Sequence, residues 1–352
     1  MTYQETIDYM YAQLPMYHRV GAAAYKADLK PTEALMEVLG HPERKFRSVH
    51  VAGTNGKGSV SHFLASIFQE AGLKVGLYTS PHLVDFRERM RIGGEMIGRQ
   101  EVVDFIGRHR VEMERIGLSF FEMTVGMAFD WFAREGVDMA VVEVGMGGRL
   151  DSTNVIRPEL SIITNIGLDH TQFLGDTLEK IAREKAGIIK EGVPVVIGET
   201  QAETEPVFRS VAAERHAPVS FADRLHRVES VEQYTSELTG EYQKKNIATV
   251  LEAVDVLRSA AAHNPALSAF RLGDAAVAAG LAKVVTNTHL HGRWQVVGHK
   301  PLTICETAHN EPGIRAMMGK LATMDIGRLH LVYGCVNDKD FTHILQVLRD
   351  GL

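Results

Sequence analysis

The stretch that decides the fold is Ser48-Val-His-Val-Ala-Gly-Thr-Asn-Gly-Lys-Gly-Ser59. It begins as a β-branched run, turns through three closely spaced glycines, and leads into a segment with helical periodicity. Gly53, Gly56 and Gly58 let the backbone curl so that successive N–H groups face an anion. The N-terminus of the following helix adds its positive end, and Lys57 adds a mobile charge. The pattern predicts a phosphate-binding loop (P-loop) between a strand and a helix.

The loop departs from the strict nucleotide-binding pattern G-x-x-x-x-G-K-[ST] in two places. Val51 occupies the first glycine position, and Gly58 follows the lysine, so that Ser59 comes one residue late. A glycine-rich turn without a ligand is the alternative interpretation. We favour the phosphate loop because the strand, the lysine and the helix all stand in the expected order.

Outward from this loop, short apolar runs alternate with helical segments. The pattern predicts strands at Ser48–Ala52, Val75–Tyr78, Met139–Val144 and Leu160–Thr164, and helices at Ser59–Ala71 and Tyr242–Ala262. This alternation is typical of an α/β fold in which helices cover both faces of a parallel sheet. We therefore expect a P-loop ATPase domain over residues 1–288.

A smaller unit is predicted over residues 289–352. Asn287–Gly298 lacks any period and is predicted to be a linker. The pattern then predicts a strand, a helix and a strand, at Leu302–Cys305, Pro312–Ala322 and Leu329–Tyr333. This order is the beginning of a Rossmann-like α/β domain, and we expect that domain to be incomplete because so few strands follow.

The composition indicates a globular protein and excludes several classes. Of the 352 residues 45% are hydrophobic and 23% are charged, so a disordered chain is excluded. With a net charge of −6, the chain lacks the excess of basic residues that is typical of nucleic-acid-binding proteins. Cys305 and Cys335 provide no disulfide framework, which favours a reducing compartment. No signal peptide or long apolar stretch is evident, so we expect a cytoplasmic protein that does not bind membranes.

Polar side chains follow three of the predicted strands. Glu143 ends one strand, Ser80 follows another, and Asp169-His170 follows a third. Because the carboxyl ends of parallel strands meet at one edge of a sheet, these groups are expected close to the P-loop, where oxygen ligands suit Mg²⁺. Taken singly, Glu143 could be a surface carboxylate, Ser80 part of a turn, and His170 a structural histidine.

Two further patterns carry little chemistry by themselves. Gly145-x-Gly147 fails as a dinucleotide fingerprint because Leu150 occupies the third glycine position, which excludes a Rossmann oxidoreductase. The charged side chains of Glu184–Lys190 cannot be distinguished from ordinary solvent-exposed charges at the end of a helix.

Five sequence blocks together are similar to the folate branch of the Mur ligase superfamily, which contains dihydrofolate synthase and folylpolyglutamate synthase. They are GTNGKGS (Gly53–Ser59), TSPHL (Thr79–Leu83), EVGMGGRLDSTN (Glu143–Asn154), TNIGLDH (Thr164–His170) and EKAGIIK (Glu184–Lys190). Weaker matches follow at Tyr242–Asn246, His291–Arg293, Glu306–Asn310 and Asp338–Asp340. Only 52 residues precede Gly53, whereas cell-wall ligases of the superfamily carry a whole domain there.

The resemblance implies an ATP-dependent ligase that joins L-glutamate to dihydropteroate or folates through an acyl phosphate. ATP phosphates would be held by Gly53, Thr54, Asn55, Gly56, Lys57, Gly58 and Ser59. Mg²⁺, replaceable by Mn²⁺, would be held by Ser80, Glu143 and His170. Lys185 matches a lysine that is carbamylated in this family and helps to hold a second metal. Lys57, Lys185 and His170 would be the catalytic residues.

The resemblance also implies nucleotide contacts and a substrate pocket. Asn246, Arg293 and Glu306 would contact the nucleotide. The pterin pocket would be lined by Phe121, Glu122, Leu150, Asp151 and Ser152. The chain departs from the family at Glu306-Thr307, where Asp-Gly is usual, and Phe221–Gly240 is shorter. A longer acid at a nucleotide contact is expected to weaken ATP binding.

Two alternatives stay open at this point. The chain could be a P-loop NTPase, although Asn337-Asp-Lys-Asp340 has the wrong order for the guanine-binding motif N-K-x-D. It could also be a folate- or nucleotide-binding module without ligase activity. For the ligase we expect small-molecule partners only, no nucleic acid, and a monomer.

Overall fold

The computed structural model describes residues 1–12, 28–226, 228–263, 272–334 and 341–351. The strands in these ranges are β1 Arg47–Ala52, β2 Val75–Tyr78, β3 Met90–Ile92, β4 Glu95–Met96, β5 Met139–Glu143, β6 Leu160–Ile163, β7 Val195–Ile197, β8 Val219–Phe221, β9 Gln295–His299 and β10 Leu302–Cys305. The helices are α1 Tyr3–Ala12, α2 Lys30–Val38, α3 Lys57–Glu70, α4 Arg99–Ile116, α5 Phe120–Arg134, α6 Thr171–Leu174, α7 Leu178–Ala186, α8 Glu205–Glu214, α9 Ala222–Leu225, α10 Val228–Val231, α11 Tyr242–His263, α12 Asp274–Ala282, α13 Val284–Thr288, α14 Glu311–Leu321 and α15 Phe341–Gly351. Short 3₁₀ turns lie at Pro42–Arg44, Phe86–Arg89 and Ser152–Val155.

One large sheet organises the molecule, with eight strands in the order β4-β3-β2-β5-β1-β6-β7-β8. Strands β2, β5, β1, β6, β7 and β8 run parallel, whereas β3 and β4 form an antiparallel edge. The predicted α/β class is confirmed, and the four predicted strands are confirmed as β1, β2, β5 and β6. Strand β1, which leads into the P-loop, is paired on both sides, by β5 and β6. The strand ends that carry the predicted ligands are therefore neighbours.

The sheet also contains strands that the sequence analysis did not predict. Strands β3, β4, β7 and β8 are each too short to show an alternating pattern. The β3–β4 hairpin turns at Gly93-Gly94, whose φ values of 58° and 87° are left-handed. A Gly-Gly pair is a recognised hairpin signal, so this turn could have been predicted from the sequence.

Helices cover both faces of the sheet, as predicted. Along β5, Val141 packs on the face covered by α3, α11 and α12, while Ala140 and Val142 pack on the face covered by α4 and α5. Helix α3 buries the predicted apolar stripe, including Val60, Phe63, Leu64, Ile67 and Phe68. In the described ranges no helix is both long enough and apolar enough to cross a bilayer.

The C-terminal unit differs from the expectation in its strands. The predicted linker Asn287–Gly298 is wrong at both ends, because Asn287 and Thr288 belong to α13 and β9 begins at Gln295, where it pairs antiparallel with β10. The helix is confirmed as α14, but the described residues of Leu329–Tyr333 form no strand. Strand β9 was not predicted because its surroundings are rich in His and Gly. Leu329–Tyr333 has strand propensity, but propensity without a paired neighbour does not make a strand. The domain boundary at 288/289 stays a prediction.

A small separate core holds this unit together, with buried Ile314, Met317 and Met318 of α14 packed on residues of α15. Cys305 carries an exposed free thiol. Cys335 and the segments Asn337–Asp340 and Asp338–Asp340, which the sequence analysis singled out, lie outside the described residues.

Candidate active site

The predicted P-loop has a backbone that requires glycine at two positions. Gly53 has a φ of +145° and Gly56 has a φ of +86°, a region that side chains rarely adopt. A Cβ atom on Gly53 would lie 1.9 Å from Thr164 Oγ1, and one on Gly56 would lie 2.3 Å from Asn246 Oδ1. The loop thus lies directly against Thr164 and Asn246, in the curled form that an N–H cradle for phosphate needs.

Two lysines converge on one carbonyl oxygen of this loop. Lys57 Nζ donates to the Gly53 carbonyl at 3.0 Å and to the Thr54 carbonyl at 3.2 Å. Lys185, from the end of α7, donates to the same Gly53 oxygen at 2.9 Å. Burial, and then the charge of Lys57, lowers the pKa of Lys185 to about 7. A large fraction of Lys185 is therefore a neutral amine near neutral pH.

Glu143 lies beside the start of α3 at the carboxyl end of β5. Its side chain is buried and accepts a hydrogen bond from the backbone N–H of Ser80 at 3.2 Å. Burial raises the pKa of Glu143, while Lys57, the Ser80 N–H and Arg293 act in the opposite direction. A Cβ on Gly58 would lie 3.8 Å from Glu143 Oε2. The structure therefore brings Glu143, Ser80 and the P-loop together.

His170 immediately precedes the short helix α6 and has a left-handed backbone conformation, with a φ of 49°. Its backbone N–H donates to Asp169 Oδ1 at 2.9 Å, and its Nε2 lies 4.0 Å from Asp169 Oδ2. The same Asp169 oxygen lies 3.7 Å from His309 Nε2. Asp169 thus links the loop after β6 to the C-terminal unit.

The predicted metal ligands do not form a ready-made three-ligand cluster of histidine and carboxylate atoms. Within the part of the chain that the structure describes, such a cluster is found at His226, which follows α9, and at Glu252 and Asp255 of α11. Glu143 and the Ser80 backbone nevertheless lie together beside the predicted phosphate loop, and carboxylate and hydroxyl oxygens are hard donors of the kind that suits Mg²⁺.

The predicted nucleotide contacts lie where the C-terminal unit meets the P-loop. Asn246 lies against Gly56, and a Cβ on Gly58 would lie 3.5 Å from Arg293 Nη2. Arg293 also donates to the Thr307 hydroxyl and to the Gly292 carbonyl. Asn246 and Arg293 are thus both within reach of the loop.

Glu306 has both carboxylate oxygens engaged within the protein. Its Oε2 accepts from the Tyr242 hydroxyl at 3.1 Å and from the Trp294 N–H at 3.0 Å, and its Oε1 accepts from the Thr307 N–H at 2.8 Å. Burial, and then Glu306, raises the pKa of Tyr242. The carboxylate joins α11 to the C-terminal unit, and its longer side chain is used for this connection.

Two of the predicted pocket residues satisfy backbone groups. Glu122 and Ser119 form a capping box at the start of α5, with Glu122 Oε2 accepting from the Ser119 N–H at 2.5 Å. Asp151 is buried and accepts from the N–H groups of Met146 at 2.9 Å and Thr153 at 3.0 Å. These bonds oppose the effect of burial, which raises the pKa of Asp151.

The other predicted pocket residues differ in exposure. Phe121 packs against the glycine turn after β5, where a Cβ on Gly145 would lie 2.4 Å from its ring. Ser152 is buried and Leu150 is half-buried. The Phe121 ring therefore lies directly against the turn that follows Glu143.

Sequence reasoning missed Arg89 beside this region. Its Nε donates to His82 Nδ1 at 2.8 Å, and its guanidinium lies 5.2 Å from the centre of the Phe120 ring. Burial lowers the pKa of Arg89. No local pattern distinguishes it from Arg87 and Arg91 in the same segment, because the surroundings of each arginine depend on the fold.

The chain matches the family model of the Mur ligase middle domain over residues 51–254. It is 35% identical to the dihydrofolate synthase/folylpolyglutamate synthase of Bacillus subtilis, over 92% of this chain and 79% of that protein. It is 31% identical to the folylpolyglutamate synthase of Lacticaseibacillus casei, over 97% of this chain and 81% of that protein.

Solved structures agree with these relatives. An FPGS–AMPPCP–folate complex superposes with a TM-score of 0.87 at 29% identity, covering 100% of this chain and 88% of that one. Escherichia coli FolC in complex with DHPP and ADP superposes with a TM-score of 0.82 at 29% identity, covering 100% and 82%. The chain belongs to the dihydrofolate synthase/folylpolyglutamate synthase family of Mur ligases.

Membership of the dihydrofolate synthase/folylpolyglutamate synthase family makes this chain an ATP-dependent ligase, and it confirms the resemblance seen in the sequence blocks. The loop between β1 and α3 lies within the residues that match the Mur ligase middle domain.

Proposed function

We propose that this chain attaches L-glutamate to the carboxylate of dihydropteroate, of folates, or of both, at the expense of ATP. The observation that carries the proposal is the P-loop itself, in which two glycines are required and Lys57 and Lys185 meet at one carbonyl. Lys57 and Arg293 place positive charge beside the buried Glu143, where a transferring phosphoryl group needs it. The solved structures of relatives are named as complexes with AMPPCP and folate and with DHPP and ADP, which is consistent with these substrates.

The reaction proceeds through an acyl phosphate because a carboxylate is a poor electrophile. The substrate carboxylate attacks the γ-phosphorus of ATP in line, and ADP leaves. The loop N–H groups and Lys57 stabilise the charge that develops on the phosphoryl oxygens. The glutamate amine then attacks the acyl carbon, and inorganic phosphate leaves. The C-terminal unit excludes water, which would otherwise hydrolyse the acyl phosphate.

Ser80, Glu143 and His170 are the residues that we propose to hold Mg²⁺, and Mn²⁺ should substitute because a histidine ligand suits the softer ion. Bound Mg²⁺ would neutralise charge on the β- and γ-phosphates. The buried oxygen donor of Glu143 next to the loop supports this assignment.

Lys185 is proposed to be carbamylated, which would convert a buried cation into an oxygen ligand for a second metal. A neutral amine is needed for that reaction, and the pKa of about 7 provides one near neutral pH. Asn246 and Arg293 are proposed nucleotide contacts, and Phe121, Glu122, Leu150, Asp151 and Ser152 are proposed to border the pterin pocket. Glu122 and Asp151 would act there by shaping the backbone, given their capping bonds.

We also propose a cytoplasmic monomer, because the proposed substrates ATP and L-glutamate are abundant in the cytoplasm. Gel filtration of the purified protein would measure the oligomeric state, and a dimer peak would contradict the monomer.

One assay separates the ligase from the two alternatives. Purified protein is given ATP, Mg²⁺ and L-glutamate with dihydropteroate or a folate in turn, and both phosphate release and glutamate incorporation are measured. The ligase releases phosphate only when pterin substrate and glutamate are both present. Phosphate release without them would indicate an NTPase, and folate binding without release would indicate a binding module.

A further inference from the structure

A reciprocal amide pair joins the tip of the P-loop to the start of α14. Asn55 Nδ2 donates to Asn310 Oδ1 at 3.2 Å, and Asn310 Nδ2 donates to Asn55 Oδ1 at 2.9 Å. The two residues are 255 positions apart in sequence. Asn310 is buried, with 6% of its surface exposed, and Asn55 is half-buried. Water therefore competes little for these two hydrogen bonds.

Asn310 makes two further contacts with the same side chain. Its Oδ1 accepts from the Gly313 N–H at 3.1 Å, which caps α14, and its Nδ2 approaches Asp169 Oδ2 at 3.4 Å. Asp169 precedes the proposed metal ligand His170. One side chain of the C-terminal unit therefore reaches both the P-loop and the loop after β6.

The backbone of Asn55 is held on its other sides as well. Its N–H donates to Asn165 Oδ1 at 2.9 Å, and its carbonyl accepts from the Thr164 hydroxyl at 2.5 Å. With the side chain paired to Asn310, the peptide that leads into Gly56 has little freedom. The side chain of Asn55 is therefore hydrogen-bonded to the C-terminal unit, while its backbone is part of the phosphate loop.

We propose that Asn310 is a positioning residue for the ligase reaction. Through Asn55 it fixes the tip of the P-loop, and it also fixes the position of the C-terminal unit relative to the nucleotide. This inference rests on the proposed function. The consequence is that loss of the pair leaves ATP binding largely intact but misplaces the phosphoryl group and admits water to the acyl phosphate.

The first test compares Asn310→Ser with Asn310→Ala. Serine still caps α14 but is too short to reach Asn55, whereas alanine removes both the cap and the pair. We expect Asn310→Ser to keep the wild-type Tm, to lower kcat by roughly 10- to 30-fold, and to change the KM for ATP by less than about threefold. We also expect more phosphate released than glutamate incorporated. A variant Asn310→Ser with wild-type kcat and stoichiometry would mean that Asn310 is only a helix cap, and would overturn the proposal.

The second test asks whether the two asparagines act as one unit. The double variant Asn55→Ser/Asn310→Ser should lose no more activity than the more damaging single variant, because either change alone already breaks the pair. Losses that multiply would overturn the proposal.

A third measurement does not depend on activity. Hydrogen exchange of the amides of residues 54–58 should be faster in Asn310→Ser than in the wild type, at equal Tm. Unchanged exchange would overturn the positioning role. A wild type without ligase activity but with this exchange difference would refute the proposed function and leave the Asn55–Asn310 coupling in place.

Discussion

Replacing Lys185 by methionine should stabilise the protein at neutral pH while abolishing its activity. The Lys185 ammonium is buried and shares the Gly53 carbonyl with Lys57, and its pKa falls to about 7 from 10.5. Between these two values the unfolded chain binds more protons than the folded one, so the free energy of unfolding rises with pH. At pH 7 the buried amine costs about 4 kcal/mol, and at pH 9 it costs about 2 kcal/mol.

The assay is urea unfolding of nucleotide-free protein in CO₂-free buffer at pH 7 and pH 9. The free energy of unfolding of the wild type should rise by about 2 kcal/mol more than that of Lys185→Met over this range. Lys180→Met is the matched control, because Lys180 lies on the exposed face of the same helix and forms only a solvent-exposed ion pair with Asp176. That variant should follow the wild type.

Bicarbonate provides an independent arm of the same experiment. If the folded protein alone is carbamylated at Lys185, added bicarbonate stabilises the wild type by mass action and has no effect on Lys185→Met. Parallel pH profiles for the wild type and Lys185→Met would refute the depressed pKa. A wild type that does not respond to bicarbonate would refute the carbamate while leaving the pKa argument intact.

Three further predictions concern the loop, the metal and the packing. Lys57→Ala should keep the wild-type Tm and abolish ATP turnover in the phosphate-release assay; near-normal turnover would contradict the P-loop assignment. Glu143→Gln and His170→Ala should each raise the Mg²⁺ concentration needed for half-maximal turnover by at least about tenfold, since each removes one proposed ligand; unchanged metal dependence of both would place the site elsewhere. In urea unfolding, Gly280→Ala should destabilise the protein by about 2–3 kcal/mol, because the new Cβ would lie 2.5 Å from the α3 backbone. The control Gly107→Ala has open space around the new Cβ and should be neutral or stabilising. Equal effects of the two substitutions would refute the packing argument.

The sequence alone determined the P-loop, the α/β class and the family. A glycine-rich turn and a lysine between a β-branched run and an apolar helical stripe are local features, and the left-handed backbone at Gly53 and Gly56 requires glycine whatever surrounds it. The polar residues at the ends of β2, β5 and β6 were also predictable, because parallel strands direct their carboxyl ends to one edge. Strands of two or three residues and β9 were missed, since pairing with a neighbour, rather than local propensity, makes them strands.

The tertiary structure decided which of these groups meet and what each side chain is free to do. In the sequence, Lys185 cannot be distinguished from a solvent-exposed lysine at the end of a helix. Only the packing of α7 against the P-loop buries its side chain and lowers its pKa. Glu122 and Asp151 turn out to cap backbone N–H groups. Asn55 and Asn310 pair across the chain. Desolvation and hydrogen-bond partners depend on distant residues, and a local sequence pattern contains no information about them.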